Sequence, residues 1–325
     1  MPKAYVFTRY GGPETEALVE VDRPSPGPGE VLVAVRVAGV NPVDWKLRTG
    51  YRRPGETDTR TFPAVFGNEV SGVVEEIGAG VDGIAVGDEV FGNTVAGGYA
   101  EYALLPATIT AHKPAELSFQ DAATLPVAAA TAYDGVRQLD LPVGATVLVT
   151  GAGGGVGSIA VALLAAARYE VIAATGRSAE LSGQLTALGA AQVLDRAELT
   201  SPGKPLGKQR WAGVVDAVGG PVLAGALAGL QHSGVATTCG LAGGAEFPGN
   251  VLPFILRGVS LLGIDSVRTP PLRREAAWQR LARLLDPALL DSLTRVVPLA
   301  DAKDAAASLL AGTGTGRIVV DVASA

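Results

Sequence analysis

The segment Val147-Leu-Val-Thr-Gly-Ala-Gly-Gly-Gly-Val-Gly-Ser158 carries the residue types that hold a dinucleotide. A valine-rich run leads into glycines, and apolar helix formers follow. The core reads Ala152-x-Gly154-x-x-Gly157, a G-x-G-x-x-G pattern with alanine first. Gly154 lets the backbone approach a pyrophosphate, and Gly157 lets the helix pack closely on the strand. Thr150, Ala152, Gly153, Gly154, Gly155, Val156 and Gly157 are therefore the first candidate cofactor residues. The helix that starts here offers unpaired N–H groups and the positive end of its dipole to phosphates. A merely flexible turn would not require the strand before it and the helix after it.

The next strand selects the cofactor. NAD sites usually carry Asp or Glu about 20 residues beyond the glycines, where it holds the ribose hydroxyls. Here the strand ends in Ala174-Thr175-Gly176-Arg177-Ser178, without an acid. A carboxylate would repel a 2′-phosphate, whereas Arg177 can clamp one with charge-assisted hydrogen bonds. Thr175 and Ser178 add hydroxyl donors. The pattern points to NADPH, the alternative for Arg177 being a solvated surface side chain.

Metal chemistry finds little support. Zinc needs clustered Cys, His or carboxylate ligands. The chain has two histidines, His112 and His232, and one cysteine, Cys239, none with ligand-spaced company. No metal site is expected, and Cys239 reads as a small buried hydrophobe. Alcohol–ketone exchange then lacks its usual Lewis acid. Hydride addition to a conjugated double bond remains feasible. It needs a held carbonyl, donors for the enolate and a proton source.

The elements that must position these groups follow from periodicity. The first third reads as short strands closed by glycines. Residues 30–39 place valines on alternate positions, and 72–78 and 88–92 are further strands, suggesting a barrel-like or sandwich domain. The pattern changes near residue 122. Strands at 146–150, 170–175, 192–195, 213–218 and 234–238 then alternate with helices through 161–167, from 178 to 188 and near 221–231. That alternation is the signature of a parallel sheet covered by helices, the Rossmann arrangement. The tail holds a strand near 260, an amphipathic helix over 272–285 and a strand over 317–322. Periodicity leaves open whether this tail extends the parallel sheet or returns to the first domain.

Bulk composition excludes other classes. The chain has 325 residues, 48% of them hydrophobic and 18% charged, enough to bury two cores. A net charge of −6 argues against nucleic-acid binding. The longest apolar stretch, Ile159 to Ala167, is far short of the roughly 18 residues of a membrane span. A lone cysteine and an N-terminus without a basic-then-apolar pattern fit a cytoplasmic protein.

Asn41-Pro-Val-Asp-Trp-Lys46, Phe66-Gly-Asn-Glu-Val-Ser-Gly72, Gly87-Asp-Glu-Val-Phe91, Ala130-Thr-Ala-Tyr133 and Gly151 to Gly157 together resemble the medium-chain dehydrogenase/reductase superfamily. The similarity is to its zinc-free quinone oxidoreductase (zeta-crystallin-like) group. In zinc-dependent relatives a ligand His precedes the Glu of the Gly-x-Glu element. Asn68 holds that place here, and Asn41 lies in the segment of a ligand Cys. In the second half, Ala173 to Arg177, Lys208 to Gly213, Cys239 to Gly244, Pro253 to Gly258 and Gly263 to Val267 resemble NADPH-dependent acryloyl-CoA reductases. The first half departs from them, with Asn41-Pro-Val-Asp44 in place of Asn-Tyr-Lys-Asp, as if two patterns were joined near residues 140–150.

The resemblance implies a GroES-like catalytic domain of residues 1–122 and 260–325, an NADPH-binding Rossmann domain of 123–259, a site in the cleft, and a homodimer. It implies that Asn41 turns its amide to the nicotinamide and substrate carbonyl, the alternative being a turn Asn capping its own backbone. Tyr51 is either a proton donor or a half-buried aromatic. Asp44 joins the catalytic candidates, most simply by pairing with Lys46 to order the loop. Thr131 lies beside the nicotinamide. Gly240, Leu241, Ile264 and Ser266 fall at strand ends that would line its pocket. Arg52, Arg53 and Arg60 make a basic loop, open to CoA phosphates or simply solvated. The expected activity is NADPH-dependent reduction of acryloyl-CoA or a similar enoyl thioester or enone. NADPH:quinone reduction is the alternative, and a non-catalytic NADPH-binding regulatory protein is the third.

Overall fold

The computed structural model describes residues 1–52, 57, 58, 60–94, 97–200 and 204–324. The chain divides into two compact units. One comprises Met1–Val127, Pro271–Trp278 and Asp286–Ala325; the other comprises Ala128–Pro270 and Gln279–Leu285.

The first unit opens with β1 (Lys3–Phe7), β2 (Glu16–Glu20), β3 (Glu30–Gly39), α1 (Pro42–Arg48), β4 (Ala64–Val65), β5 (Glu69–Ile77), β6 (Glu89–Asn93), β7 (Tyr102–Pro106), β8 (Thr110–His112) and α2 (Phe119–Thr124). β3 has the span that its alternating valines predict. α1 was not expected. Pro42 at its first position and Asp44 in its first turn favour a helix start, and Asn41 is the N-cap.

The second unit runs through α3 (Ala130–Arg137), β9 (Thr146–Thr150), α4 (Gly155–Ala166), β10 (Glu170–Thr175), α5 (Ser178–Ala187), β11 (Ala190–Asp195), α6 (Ala197–Thr200), β12 (Trp211–Asp216), α7 (Gly220–Ala228), β13 (Leu230–Thr238), α8 (Leu252–Arg257) and β14 (Ser260–Gly263). Its six strands lie in the order β11-β10-β9-β12-β13-β14 and every neighbouring pair is parallel. Helices cover both faces of such a sheet, so its strands read as continuous apolar runs. Val147, Leu148 and Val149 accordingly have no exposure at all. β14 settles the question that periodicity left open. It is the sixth strand of this sheet, and the chain rejoins the first unit at Pro271, later than the boundary expected at 260.

The chain ends with α9 (Pro271–Leu284), α10 (Pro287–Leu293), β15 (Thr294–Pro298), α11 (Ala302–Leu310) and β16 (Arg317–Asp321). β16 pairs antiparallel with β3 and parallel with β15, completing a mixed sheet in the order β15-β16-β3-β5-β6-β8, with β7 also on β3. β2, β1 and β4 form a separate three-stranded sheet. Tyr5, Phe7, Trp45, Phe66 and Tyr99 pack in the core of this unit with Val33, Val35 and Ile318. The fold is α/β, with a parallel-sheet Rossmann unit and a β-rich GroES-like unit.

Candidate functional site

In a parallel sheet all strands end at one edge, and ligands sit beyond it. The register makes the last rung explicit. Asp195 pairs with Thr175, Ala174 with Thr150, Thr150 with Asp216, Asp216 with Thr238, and Thr238 with Gly263. Polar residues therefore collect where the buried strands give way to loops.

Asp216 ties that rung together. It is fully buried and accepts hydrogen bonds from Thr150 Oγ1 (2.6 Å), Thr238 Oγ1 (2.8 Å) and the backbone N of Gly219 (2.9 Å) and Val218 (3.3 Å). Ala217 N donates to Thr150 Oγ1 at 3.2 Å. Thr150 is thus a brace for the loop after β12 rather than a free hydroxyl. The sequence reading took Asp216 for an ordinary strand residue.

The glycine loop leaves β9 through Gly151, at φ +62, and enters α4 with Gly154 as N-cap. Ala152 N donates to Ala174 O at 3.1 Å, and Gly154 N to Gly151 O at 2.9 Å. A Cβ on Gly157 would collide with the Gly151 carbonyl oxygen, which explains why helix and strand can meet here. The first-turn N–H groups of α4, those of Gly155, Val156 and Gly157, emerge at this edge. Gly153 closes the loop against Thr175 and Leu181, near whose side chains an added Cβ would fall.

The ends of β10 and β11 supply positive charge. Arg177 starts α5 and pairs through Nη1 with Glu180 Oε1 at 3.2 Å, while its backbone N donates to Thr175 Oγ1 at 3.3 Å. Ser178 Oγ donates to Asp195 Oδ2 at 2.8 Å, so its hydrogen is already used. Ala197 N and Ser178 hold the Asp195 carboxyl below its ordinary range. A second guanidinium, that of Arg196, lies against Gly176, where an added Cβ would stand 3.1 Å from Arg196 Cζ. Two arginines therefore flank the Thr175-Gly176 turn. Sequence reasoning missed Arg196 because it stopped at the second strand. The residue after the third strand shares the same sheet edge. The residues present fit a dinucleotide with a 2′-phosphate.

The other candidates of this unit lie in α3 and in the loops after β13 and β14. Thr131 is buried in the first turn of α3. Gly240 follows β13, packed so that a Cβ would collide with Ala217 O, and Leu241 beside it is 44% exposed. Ile264 N donates to Thr238 O at 3.0 Å, and Ser266 is half-buried in the loop beyond. Cys239 donates through Sγ to Asp216 O (3.4 Å), and burial pushes its thiol up to about 12, away from the thiolate form.

The β-rich unit holds a second polar cluster, wholly buried. Glu69 accepts from Asn41 Nδ2 (2.6 Å), Val127 N (2.8 Å) and Arg317 Nη2. Burial pushes its carboxyl up, and Arg317 and the two N–H donors oppose the rise. Asp44 accepts from Asn41 N (3.0 Å) and Tyr99 OH (3.1 Å) instead of pairing with Lys46. Burial drives the Asp44 carboxyl to about 7 and the Tyr99 phenol well above its ordinary value. Asp44 Oδ1 and Arg317 Nε have no hydrogen-bond partner among the described residues.

Asn41 is 4% exposed, with both Nδ2 hydrogens engaged, one by Glu69 and one by Asn68 Oδ1 at 3.2 Å. Its Oδ1 lies 3.4 Å from Arg317 Nη1, so the amide has protein partners on both sides. Tyr51 lies just past α1 with its ring 44% exposed. In the basic loop, Arg52 pairs with Asp58 at 2.9 Å and Arg60 Nη1 donates to Tyr10 OH at 3.3 Å. Arg53 lies outside the described residues. Among the described residues no three His, Cys, Asp or Glu side chains cluster as a metal site.

Two family descriptions match the chain: alcohol dehydrogenase GroES-like domain over residues 27–115, and zinc-binding dehydrogenase over residues 155–286. The chain is 41% identical over 305 residues to the acrylyl-CoA reductase AcuI of Ruegeria pomeroyi, covering 90% of each chain. It is 38% identical over 302 residues to the putative quinone oxidoreductase YhfP of Bacillus subtilis, covering 89% of each. Its structure is similar to that of the yhdH oxidoreductase of Salmonella enterica in complex with NADP, with a TM-score of 0.88 and 35% identity over 98% of this chain and 99% of that one.

Proposed function

The chain belongs to the quinone oxidoreductase group of the medium-chain dehydrogenase/reductase superfamily, and from that membership and the site geometry we propose that it is an NADPH-dependent reductase of activated carbon–carbon double bonds. Acryloyl-CoA or a similar enoyl thioester or enone is the substrate. The observation that carries the reading is the strand edge that the α4 N-terminus shares with Arg177 and Arg196, which follow β10 and β11.

Bound there, NADPH would supply a hydride. Gly154 to Gly157 admit its pyrophosphate to the helix N-terminus, and Arg177 and Arg196 hold the 2′-phosphate. Asp216 keeps the loops after β12 and β13 in place for the nicotinamide end, with Thr131, Gly240, Leu241, Ile264 and Ser266 around it. The β-rich unit holds the substrate, and Tyr51 or water delivers a proton to the α-carbon. The same reading makes the protein a cytoplasmic homodimer. No helix of the described residues is long and apolar enough to cross a membrane.

The test is reduced-nicotinamide oxidation by purified protein with acryloyl-CoA, crotonyl-CoA and 1,4-benzoquinone, using NADPH and then NADH. Turnover of an enoyl thioester with NADPH supports the proposal. Turnover of quinone alone would replace it with NADPH:quinone oxidoreduction, the reading that the similarity to YhfP favours. Tight NADPH binding without any turnover would leave a regulatory NADPH-binding protein.

A further inference from the structure

The end of β11 holds an acid that the glycine loop does not call for. In a dinucleotide site the carboxylate that receives the ribose hydroxyls ends the second strand. In this chain the second strand, β10, ends in Thr175 and Gly176, and the carboxylate ends the third. The register sets Asp195 of β11 directly beside Thr175 of β10. Neighbouring strands lie about 4.8 Å apart, so Asp195 is displaced sideways by one strand and stays at the same edge. Arg196 N donates to Thr175 O at 2.9 Å, which holds the two strand ends together.

Asp195 is exposed and its acceptor capacity is only partly used. Oδ2 accepts from Ser178 Oγ at 2.8 Å and Oδ1 from Ala197 N at 2.8 Å. A carboxylate offers about four lone-pair positions, so among the described residues each oxygen keeps one open. Ala197 N and Ser178, with Arg196 nearby, hold the carboxyl below its ordinary range, and it is ionised at neutral pH. Arg196 does not close over it. Its guanidinium lies against Gly176, where an added Cβ would stand 3.1 Å from both Cζ and Nη2, and it forms no ion pair among the described residues. The place where a second-strand acid would stand is thus free of a side chain and is taken by a guanidinium. A carboxylate and a guanidinium remain unpaired at one turn, ready for a hydroxyl or for a phosphate.

We propose that Asp195 is a specificity-determining residue opposed to the two arginines: it accepts from the ribose 2′-hydroxyl of NADH, where Arg177 and Arg196 take the 2′-phosphate of NADPH. The edge therefore admits NADH as a second, weaker cofactor, and the balance of one acid against two arginines sets the ratio. The inference rests on the cofactor reading above. A hydroxyl donates to the carboxylate in a charge-assisted hydrogen bond. A phosphate is repelled by the same carboxylate and is held in spite of it. Neutralising Asp195 must then move the two affinities in opposite directions. A residue that merely braced Ser178 and Ala197 would move them together.

Asp195→Asn keeps the size and an oxygen for Ser178 or Ala197 but loses the charge. Isothermal titration of the full-length protein, without substrate, reads both dissociation constants. The NADH constant should rise about fivefold or more, as a charge-assisted hydrogen bond becomes a neutral one. The NADPH constant should fall about threefold, and that gain should shrink as sodium chloride is raised, because the charges are exposed. Asp195→Ala should split the two cofactors in the same sense. Adenosine 5′-monophosphate and adenosine 2′,5′-bisphosphate, which have no nicotinamide, should repeat the split and place it at the ribose. Parallel weakening of both cofactors in Asp195→Asn would reduce Asp195 to a brace and overturn the inference, as would unchanged constants for both. A wild-type protein that binds neither NADPH nor NADH would sink the cofactor reading itself, and this inference with it.

Discussion

Asp44 offers a stability test with a defined sign. It is 1% exposed and fixed by Asn41 N and Tyr99 OH, with Oδ1 unpartnered. Burial is the largest influence on it. The Asn41 N–H and Tyr99 OH oppose the rise, Glu69 adds to it, and Arg317 opposes it. The result is a carboxyl at about 7 against 3.8 for the exposed group. Between those values the folded protein holds a proton that the unfolded chain has released. Its contribution to stability is complete below the lower value and is lost as pH rises through the upper one. Roughly three pH units correspond to about 4 kcal/mol, a large share of the roughly 5–15 kcal/mol that holds a domain folded. Asp44→Asn cannot ionise but keeps an oxygen to accept from the Asn41 N–H. Urea unfolding, followed by the fluorescence of the buried Trp45, should show the wild type losing stability from about pH 4 to about pH 7 and levelling off above that. The variant should be flatter by a few kcal/mol and the more stable of the two at the alkaline end. An identical pH slope in the variant would refute the reasoning, because it would mean that Asp44 is already ionised in the folded state.

Two further outcomes follow from the second unit. Arg177→Ala and Arg196→Ala should each weaken NADPH binding about 10- to 100-fold, the worth of a charge-assisted hydrogen bond, and leave NADH nearly unchanged. Equal losses with both cofactors in isothermal titration would show that neither arginine meets the 2′-phosphate. Asp216→Ala strips the acceptor from two hydroxyls and two backbone N–H groups. With about 1–3 kcal/mol for each buried unsatisfied group, the four donors set the cost at about 4 kcal/mol of stability or more, and cofactor binding should loosen. A thermal unfolding midpoint unchanged from wild type would count against the brace.

Local patterns made much of this architecture legible. The valines of 30–39 and the runs at 146–150 and 170–175 are strands with the expected bounds, because pleat and burial act on neighbouring residues. The glycine loop was legible for the same reason. α1 was hidden because Asn41-Pro42 reads equally well as a turn, and only the seven residues after Asn41 show that Pro42 starts a helix. β14 has four residues, too few for periodicity to assign it to a sheet. The Glu69–Arg317 pair joins positions 248 residues apart, which no spacing rule reaches. Arg196 and Asp216 become informative only once the strand order is known, since their meaning comes from the edge that they share with the glycine loop.

Glu69 and Asp216 solve the same physical problem in two different units. Each is a fully buried carboxylate satisfied by donors from separate segments: Asn41, Val127 and Arg317 for one, and Thr150, Thr238 and the Val218–Gly219 amides for the other. A group that only accepts dictates the polarity of everything bonded to it. Around Glu69 that polarity runs through Asn41 and emerges as the NH2 of Asn68. Around Asp216 it fixes the loop beside the glycine turn, where the outward groups are the α4 N–H groups and the two arginines. A chain with a net charge of −6 thus presents donors at both places. Donors are what a polyanionic cofactor requires. Each buried acid therefore sets the direction of the donors around it, and removing either should change that direction.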